Sequence, residues 1–245
     1  MGESFGRYSL GNDAAMLDIV TSANIACGLH AGDPLVMRHT VAMAIVRGVA
    51  VGAHPGYPDL QGFGRRALSM GAEELEAIIL YQLGALAGFV AAAGGRLIHV
   101  KPHGALYNTA ARDPKVAAAI ARAVTSFDPQ LIVVALPGSA LADAAASEGL
   151  SVATEGFADR AYQADGTLVP RSHPGAVIHD PARAAARAVQ MVTEGTVEAI
   201  TRETIDLEID TLCIHGDTPN APAIAQSLRR ALEAAGVSVA RLATP

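Results

Sequence analysis

The sequence has few residues of the types that define small disulfide-rich proteins and proteins with cysteine-bound metal ions. Its 245 residues include no tryptophan, 4% aromatic residues in all, two cysteines and two lysines. Cys27 and Cys213 lie far apart in the chain, which excludes a disulfide framework and a cysteine metal knuckle. Both lie in apolar, strand-like runs, where a buried and reduced thiol is expected. Because the other basic residues are arginines, Lys101 and Lys115 stand out.

A shortage of positive charge and of long apolar runs excludes further classes. The formal net charge is −6, from 18 basic and 24 acidic residues. This argues against a nucleic-acid or anionic-membrane partner, which requires a basic surface. No apolar run approaches the roughly 18 uncharged residues of a membrane span, and the first residues do not form a signal peptide. We therefore expect a reduced, soluble, cytoplasmic protein that does not span a membrane.

Several motifs of common enzyme classes are absent as well. The sequence has no G-x-x-x-x-G-K-[ST] loop and no G-x-G-x-x-G after a predicted strand. It also has no G-x-S-x-G elbow and no H-E-x-x-H helix. A conventional phosphate-binding loop, a dinucleotide fold, a serine esterase and a zincin are therefore disfavoured.

What the sequence does contain is an alternation of apolar runs and helical segments. Half of it, 51%, is apolar. The runs that suit buried parallel strands are 22–29, 49–53, 97–100, 131–136, 150–153 and 211–214. The helical segments are 34–46, 72–93, 114–126, 139–147, 181–193 and 221–234. Six such units predict a single α/β domain over residues 1–245, with a parallel sheet that is doubly wound or closed into a barrel.

Ionisable residues follow five of these six runs, at the point where each strand is predicted to end. They are His30, His54, Lys101 with His103, Glu155 with Asp159 and Arg160, and His215 with Asp217. Because the carboxyl ends of parallel strands open onto one face, we expect these side chains to share one rim. If these residues were polar only because loops begin there, we would expect scattered Asp or Ser residues, and not this concentration of histidines. The rim is therefore the predicted functional site.

The segment around Lys101 is the most specific one. Lys101 and His103 share one side of an extended strand, so the ammonium and the imidazole would point together. An ammonium in a partly dry pocket can stabilise a developing oxyanion. His215 and Asp217 form a second candidate group, a base with a carboxylate beside it.

Three other segments offer groups for an anionic ligand or a helix cap. Asp33 caps the following helix, alone or together with a role in the site. Arg65 follows a glycine-rich loop and either grips a carboxylate or phosphate or is a surface arginine. Arg160 either holds a substrate carboxylate or pairs with Asp159, and both interpretations are open.

A metal is also chemically feasible at this rim. The candidate ligands are His30, His54 and His103, with His215 and the rim carboxylates as further donors from separate strands. No local spacing demands a metal, so the sequence leaves the identity of any metal unknown.

Four multi-residue motifs occur in order along the chain. They are Asn-Ile-Ala-Cys-Gly-Leu-His-Ala-Gly-Asp at 24–33, Gly-Ala-His-Pro-Gly-Tyr-Pro-Asp at 52–59, Val-Lys-Pro-His-Gly-Ala-Leu-Tyr-Asn at 100–108 and Cys-Ile-His-Gly-Asp at 213–217. Together they resemble the LamB/YcsF (lactam-utilisation) family. The resemblance runs from Gly2 to the last helix, and segment 155–162 matches too.

This resemblance implies both a fold and an activity. The fold is a distorted seven-stranded β/α barrel of the glycoside hydrolase/deacetylase type. Family members begin with a strand reading roughly Asp-Leu-Asn-Cys-Asp-Leu-Gly-Glu, and this chain enters that motif at Gly2-Glu3, so we expect the first strand to be missing here. The activity is that of the A subunit of a bacterial 5-oxoprolinase, which opens the 5-oxoproline lactam to L-glutamate. ATP would be the co-substrate, and subunits B and C would be the partners.

Within this activity the rim residues take hypothetical roles. Lys101 would stabilise an oxyanion or phosphate, and His103 or His215, oriented by Asp217, would be the general base. Arg65 or Arg160 would hold the substrate carboxylate. The predicted substrate-binding residues are Asn24, His30, Asp33, His54, Arg65, Glu155, Asp159 and Arg160.

Two other functions stay open on the sequence alone. One is a metal-dependent deacetylase-like hydrolase, by analogy with the barrel, although a fold does not fix a function. The other is a non-catalytic subunit that binds the lactam for a catalytic partner. Metal analysis would test the first, and activity of the chain with and without its partners would test the second.

Overall fold

The structure, a computed structural model, describes residues 1–218 and 220–242. Strands and helices alternate along these ranges. The strands are β1 (Ser22–Ala26), β2 (Ala50–His54), β3 (Leu97–Val100), β4 (Ile132–Ala135), β5 (Ser151–Phe157), β6 (Thr196–Glu198), β7 (Thr204–Asp206) and β8 (Thr211–Cys213). The predicted strands are confirmed, with ends within a few residues of the predicted ones. The β6–β7 pair was not predicted, because two three-residue strands leave little pattern.

The helices begin where the sequence offers caps. They are α1 (Asp13–Leu17), α2 (Pro34–Val46), α3 (Ala72–Ala92), α4 (Gly104–Ala110), α5 (Pro114–Phe127), α6 (Ala140–Ser147), α7 (Pro181–Glu194) and α8 (Ala221–Ala234). The side chains of Asp33, Asp113 and Asp180 accept backbone N–H groups from the first turns of α2, α5 and α7. A proline follows each aspartate, at a position whose N–H would have no helical partner.

The larger sheet is parallel and curled. Within residues 1–218 and 220–242 it has six strands in the order β1-β2-β3-β4-β5-β8, and every neighbouring pair is parallel. The spatial order follows the chain order without the reversal that a doubly wound sheet requires. The sheet therefore forms a half-barrel, which decides between the two predicted architectures.

The free edge of β1 carries the first residue of the chain. The Met1 amino group donates to the Asn24 carbonyl at 2.7 Å, and the Ala26 N–H donates to the Met1 carbonyl at 3.0 Å. This is the hydrogen-bond pattern of a parallel neighbour of β1. A seventh strand, and its loss ahead of residue 1, stay predictions.

Helix α3 corrects the expectation that no apolar run approaches the length of a membrane span. It has 21 residues, and an 18-residue window within it has a mean hydropathy of 1.7, so by length and composition it could cross a membrane. A third of that window is buried, including Leu75, Ile79 and Leu83. Because α3 packs against α5 and β2, it lies in the layer of helices that covers the sheet.

The core is continuous from the sheet to these helices. The main cluster joins β1 to β4 with α2, α3 and α5, and it includes Ile25, Val41, Leu86, Val100 and Ile120. A second cluster lies beneath β5 and β8 and contains Phe157 and Tyr162. Cys27 and Cys213 are both buried free thiols, as predicted.

Candidate functional site

One cavity of about 600 Å³ is lined by residues at the carboxyl ends of the parallel strands, and also by residues just before β1 and β8 and on α8. Its walls include His54, Lys101, His103, Glu155 and His215, which come from four different strands or from the residues that follow them. The parallel topology places these ends on one side of the sheet. The residues fall into two groups, a histidine cluster beyond β1 to β3 and a set of charged pairs beyond β3, β5 and β8.

The histidine cluster has its ring orientations fixed by backbone carbonyls. The Nδ1–H of His54 donates to the carbonyl of Lys101 at 2.6 Å, and the Nε2–H of His103 donates to the carbonyl of Phe63 at 2.8 Å. The two other ring nitrogens, His54 Nε2 and His103 Nδ1, then face each other at 3.1 Å. Since a carbonyl can only accept, both of these nitrogens carry lone pairs in the neutral rings.

Two further residues complete this cluster. His30 is buried and its ring stacks on that of His103, with centroids 3.8 Å apart. Neither ring nitrogen of His30 has a hydrogen-bond partner among the described residues. Glu3 Oε1 lies 3.8 Å from His103 Nδ1 and 4.0 Å from His30 Nε2. The donor atoms of Glu3, His54 and His103 all lie within 4.8 Å of one another.

Glycines make room for these rings. A Cβ on Gly56 would lie 2.8 Å from His30 Nδ1, and one on Gly64 would lie 2.8 Å from His30 Cβ and 2.9 Å from His103 Cδ2. Gly64 also has φ +62°, which favours glycine. The glycine-rich segment after β2 thus lets its backbone approach the histidines of the site.

Burial keeps the histidines of this cluster neutral. It lowers the pKa of His103 to about 3, and it lowers the pKa values of His30 and His54 well below the ordinary value. The rings also disfavour each other's protonation. Neutral imidazoles are the form that binds a metal ion or accepts a proton.

The charged side of the cavity is built around Lys101. Its Nζ donates to Glu155 Oε1 at 2.6 Å and to Cys213 Sγ at 3.0 Å, and it lies 4.7 Å from the centre of the Phe157 ring. Burial opposes the charge, but the ion pair with Glu155 raises the pKa of Lys101 above its ordinary value. Because burial also raises the pKa of Cys213 to about 12, that thiol is neutral and the Glu155 carboxylate is the stabilising charge.

His215 and Asp159 form a second pair on this side. The Nδ1–H of His215 donates to Asp159 Oδ2 at 2.8 Å, and Asp159 is buried. Burial opposes ionisation of Asp159, but His215 nevertheless keeps the pKa of this carboxyl below its ordinary value. This corrects the sequence prediction, in which Asp217 orients His215. Asp217 instead accepts from Arg65 Nη2 at 2.6 Å.

Three other predicted site residues make structural contacts. Arg160 is buried and donates to the carbonyls of Ala176 and Val169, so it fastens the loop after β5. Of the two interpretations left open for Arg160, pairing with Asp159 is not seen, because its guanidinium bonds to these carbonyls instead. Asn24 Oδ1 lies 3.0 Å from His99 Nε2, within the barrel interior. The Asp33 side chain caps α2 and also accepts the N–H of Gly6, outside the histidine cluster.

Glu3 is the site residue that sequence reasoning missed. It precedes every predicted strand, so the rule that sites lie at strand ends could not find it. Backbone hydrogen bonds on both sides of Glu3 position it at the histidine cluster. Met1 is hydrogen-bonded to β1, and the Ser4 carbonyl accepts the N–H of Gly32. Phe157 and Tyr107 were also not assigned to the site, although their rings flank the Lys101 ammonium.

The fold and the site together define a class: an α/β half-barrel with a polar site at the carboxyl ends of its strands. Within that class the chain belongs to the LamB/YcsF family, which matches residues 1–245. The resemblance predicted from the four motifs is therefore confirmed.

Named relatives and a solved structure agree with this membership. The chain is 58% identical over 239 residues to the 5-oxoprolinase A subunit of Symbiobacterium thermophilum, covering 98% of this chain and 92% of the relative. It is 56% identical to that of Pyrococcus furiosus, covering 98% and 94%. A crystal structure of a lactam utilization protein from Thermus thermophilus superposes with a TM-score of 0.94 at 51% identity, covering 99% of this chain and 97% of that one.

Proposed function

We propose that this chain acts as the A subunit of an ATP-dependent 5-oxoprolinase, a hydrolase that opens the 5-oxoproline lactam to L-glutamate. The observation that carries the proposal is the high identity to proteins named as 5-oxoprolinase A subunits over nearly the whole chain. The site supports it, because the cavity holds a buried ammonium, a histidine–aspartate pair and an arginine. The proposal includes a cytoplasmic location and partner subunits B and C.

Lys101 is the proposed electrostatic group. An unstrained lactam carbonyl is a poor electrophile, and its opening develops negative charge on oxygen. A preorganised ammonium in a water-poor site stabilises such a charge more strongly than water does. Glu155 holds Lys101 at 2.6 Å and keeps it protonated, and Tyr107 donates to the other Glu155 oxygen at 3.3 Å.

His215 is the proposed general base, with Asp159 as its positioning residue. The bond from Nδ1–H to Asp159 leaves Nε2 as the nitrogen that accepts a proton from water. His215 lines the cavity, whereas Asp159 is buried behind it. The ionised aspartate stabilises the imidazolium that forms when the proton moves.

Arg65 is the proposed contact for the substrate carboxylate. It lies at the cavity wall, and 35% of its side chain is exposed. Its bond to Asp217 fixes the guanidinium while other N–H groups stay available for a bidentate grip on a carboxylate. ATP, the proposed co-substrate, would bind with the partner subunits, since the sequence has no conventional phosphate loop.

Reconstitution tests the whole proposal. The chain is mixed with subunits B and C of a 5-oxoprolinase, and L-glutamate and ADP are measured together. We expect both products from the complete mixture only, in proportion to the amount of this chain. Glutamate formation at the same rate without the chain would contradict the proposal, and so would formation without ATP.

A further inference from the structure

The two lone pairs that face each other in the histidine cluster need a cation between them. His54 Nε2 and His103 Nδ1 are 3.1 Å apart, and the backbone carbonyls of Lys101 and Phe63 occupy the protons of both rings on their far sides. Two unprotonated nitrogens at this distance repel each other. Exchanging the proton of His103 from Nε2 to Nδ1 only moves the conflict, because Nε2 would then face the Phe63 carbonyl.

The donor set matches the chemistry of a divalent transition metal. Two imidazole nitrogens and one carboxylate are a set that zinc and its neighbours prefer. Zn–N bonds of about 2.05 Å in a tetrahedral site place the ligand atoms roughly 3.3 Å apart. The His54–His103 distance is 3.1 Å, and Glu3 Oε1 lies 3.8 Å from His103 Nδ1. Closing the triad requires the Glu3 carboxylate to move inward, since the three donor atoms lie within 4.8 Å of one another.

The surroundings of the triad resemble a prepared metal site. Histidines that bind a metal usually donate their other N–H to a backbone carbonyl or a carboxylate, which fixes the ring. Both His54 and His103 do so. His30 lies against the triad with both ring nitrogens buried and unsatisfied within the described ranges, which adds an available donor beside Glu3. Buried polar atoms of this kind call for a partner.

We propose that Glu3, His54 and His103 bind one divalent transition-metal ion of the Zn²⁺ type, with the ring of His30 stacked on His103 beside the site. The proposal rests on the geometry of the cluster and does not depend on lactam opening. A bound ion would supply a fixed positive charge at the cavity for an anionic ligand.

Metal binding to the chain alone tests this proposal. Untagged protein is treated with a chelator, dialysed and titrated with Zn²⁺ by calorimetry, and the retained metal is measured by plasma mass spectrometry. We expect one ion per chain. Co²⁺ should give the visible absorption of a low-symmetry nitrogen–oxygen site. These readouts need neither subunits B and C nor turnover, so failure here is distinct from failure of the proposed function.

Single substitutions locate the ion. Removing an outer-shell partner already weakens metal affinity by roughly 10–100-fold, so His54→Ala, His103→Ala and Glu3→Gln should each weaken it by about 100-fold or more. His39→Ala, an exposed histidine on α2, is the matched control and should bind like the parent. Circular dichroism shows whether each variant is folded, and Glu3→Gln keeps the proposal testable if a histidine variant unfolds.

Two results would overturn the proposal. One is a folded chain that retains no ion and shows no Zn²⁺ heat. The other is binding that survives undiminished in both Glu3→Gln and His54→Ala. Nitrogen-15 shifts of the metal-free protein at pH 7 identify the competing state, in which a proton on His103 fills the gap. An imidazolium signal from His103 that zinc does not displace would likewise contradict metal binding.

Discussion

The two sides of the cavity satisfy their polar groups in opposite ways. At the carboxyl ends of β3, β5 and β8, opposite charges are paired: Lys101 with Glu155 at 2.6 Å, and His215 with Asp159 at 2.8 Å. Beyond β1 to β3, three neutral histidines crowd together, and two of their lone pairs face each other at 3.1 Å. One side pairs opposite charges, and the other side brings neutral nitrogens together.

This difference indicates that the two sides of the cavity have different roles. A buried ammonium that is already compensated does not need a ligand to be stable, but it can stabilise negative charge that develops during a reaction. A cluster of neutral nitrogens has no charge of its own, and it is stabilised when it binds a cation. Under the two proposals, the charged side would carry out the chemistry and the histidine side would bind an ion.

The largest effect is expected from Lys101→Met on the charged side. Loss of the ammonium should lower glutamate formation by the reconstituted complex by about 1,000-fold. It also leaves Glu155 buried without its partner, which should lower the free energy of unfolding by about 3–5 kcal/mol. Turnover assays and urea unfolding measure the two effects.

Two variants control this prediction. Lys115→Met replaces the other lysine of the chain, which is exposed on α5, and should change neither quantity. The double variant Lys101→Met, Glu155→Gln should recover most of the stability but none of the turnover, because it removes the unpaired charge without restoring the ammonium. If Lys101→Met retains near-parental turnover, Lys101 is a structural residue and the comparison of the two sides fails.

Asp159→Asn is expected to have the next largest effect. An asparagine can donate to His215 and can favour the other tautomer, so the cavity-facing nitrogen would no longer accept a proton. We expect the turnover number to fall about 100-fold or more, with a small change in KM, because the substrate contacts remain. Asp165→Asn, in the same loop after β5 but exposed, is the matched control. An equal loss in both variants would indicate a general disturbance of the loop.

The fold was predictable because its signals are local and repeat along the chain. The Asp-Pro starts marked α2, α5 and α7, and the apolar runs marked the strands of the parallel sheet. The rule for strand ends then brought His54, Lys101 and His215 to one cavity. The choice between a doubly wound sheet and a barrel was not local, because both contain the same units and differ only in which strands become neighbours.

The pairing of side chains within the site was beyond the sequence. Asp217 is the carboxylate nearest to His215 along the chain, yet Asp159, 56 positions away, reaches the ring. Two residues that follow the same strand need not contact each other, whereas residues from different strands of a curled sheet can meet across the cavity. Glu3 illustrates the same limit, since only the backbone bonds of the N-terminal segment bring it to the histidines.

The protein should also lose stability in acid, and His99, which lies outside the histidine cluster, offers a way to measure this. His99 lies buried on β3 where Gly52 leaves space for its ring, and burial lowers its pKa to about 3. The unfolded chain takes up a proton below about pH 6.5, but the native chain does not. Stability should therefore fall as pH falls from about 6.5 towards 3, by about 2 kcal/mol at pH 5 for this residue.

Urea unfolding at pH 7.5 and pH 5 measures this loss. In His99→Gln the difference between the two pH values should shrink by about 2 kcal/mol, because the titrating group is gone while an amide can still bond to Asn24. His39→Gln should keep the parental difference. An unchanged pH dependence in His99→Gln would mean that His99 is accessible to protons in the native state.

The smallest effect decides whether Asp33 belongs to the histidine side at all. The sequence allowed a helix cap, a site residue or both, and the structure shows its carboxylate on the N–H groups of Leu35 and Val36. Asp113 makes the same contacts at the start of α5 and lies in no predicted site. If Asp33 is a cap, Asp33→Ala and Asp113→Ala should each lower the free energy of unfolding by about 1 kcal/mol.

Turnover of the reconstituted complex then separates the cap from a second role. The two variants should show the same turnover if capping is all that Asp33 does, since each loses one side-chain acceptor at a helix start. A turnover that falls only in Asp33→Ala would show a role beyond capping, either in contact with the substrate or in holding the N-terminal segment through the Gly6 N–H. The paired aspartates make this distinction possible because both variants lose a helix cap, although Asp33→Ala also loses the bond to the Gly6 N–H.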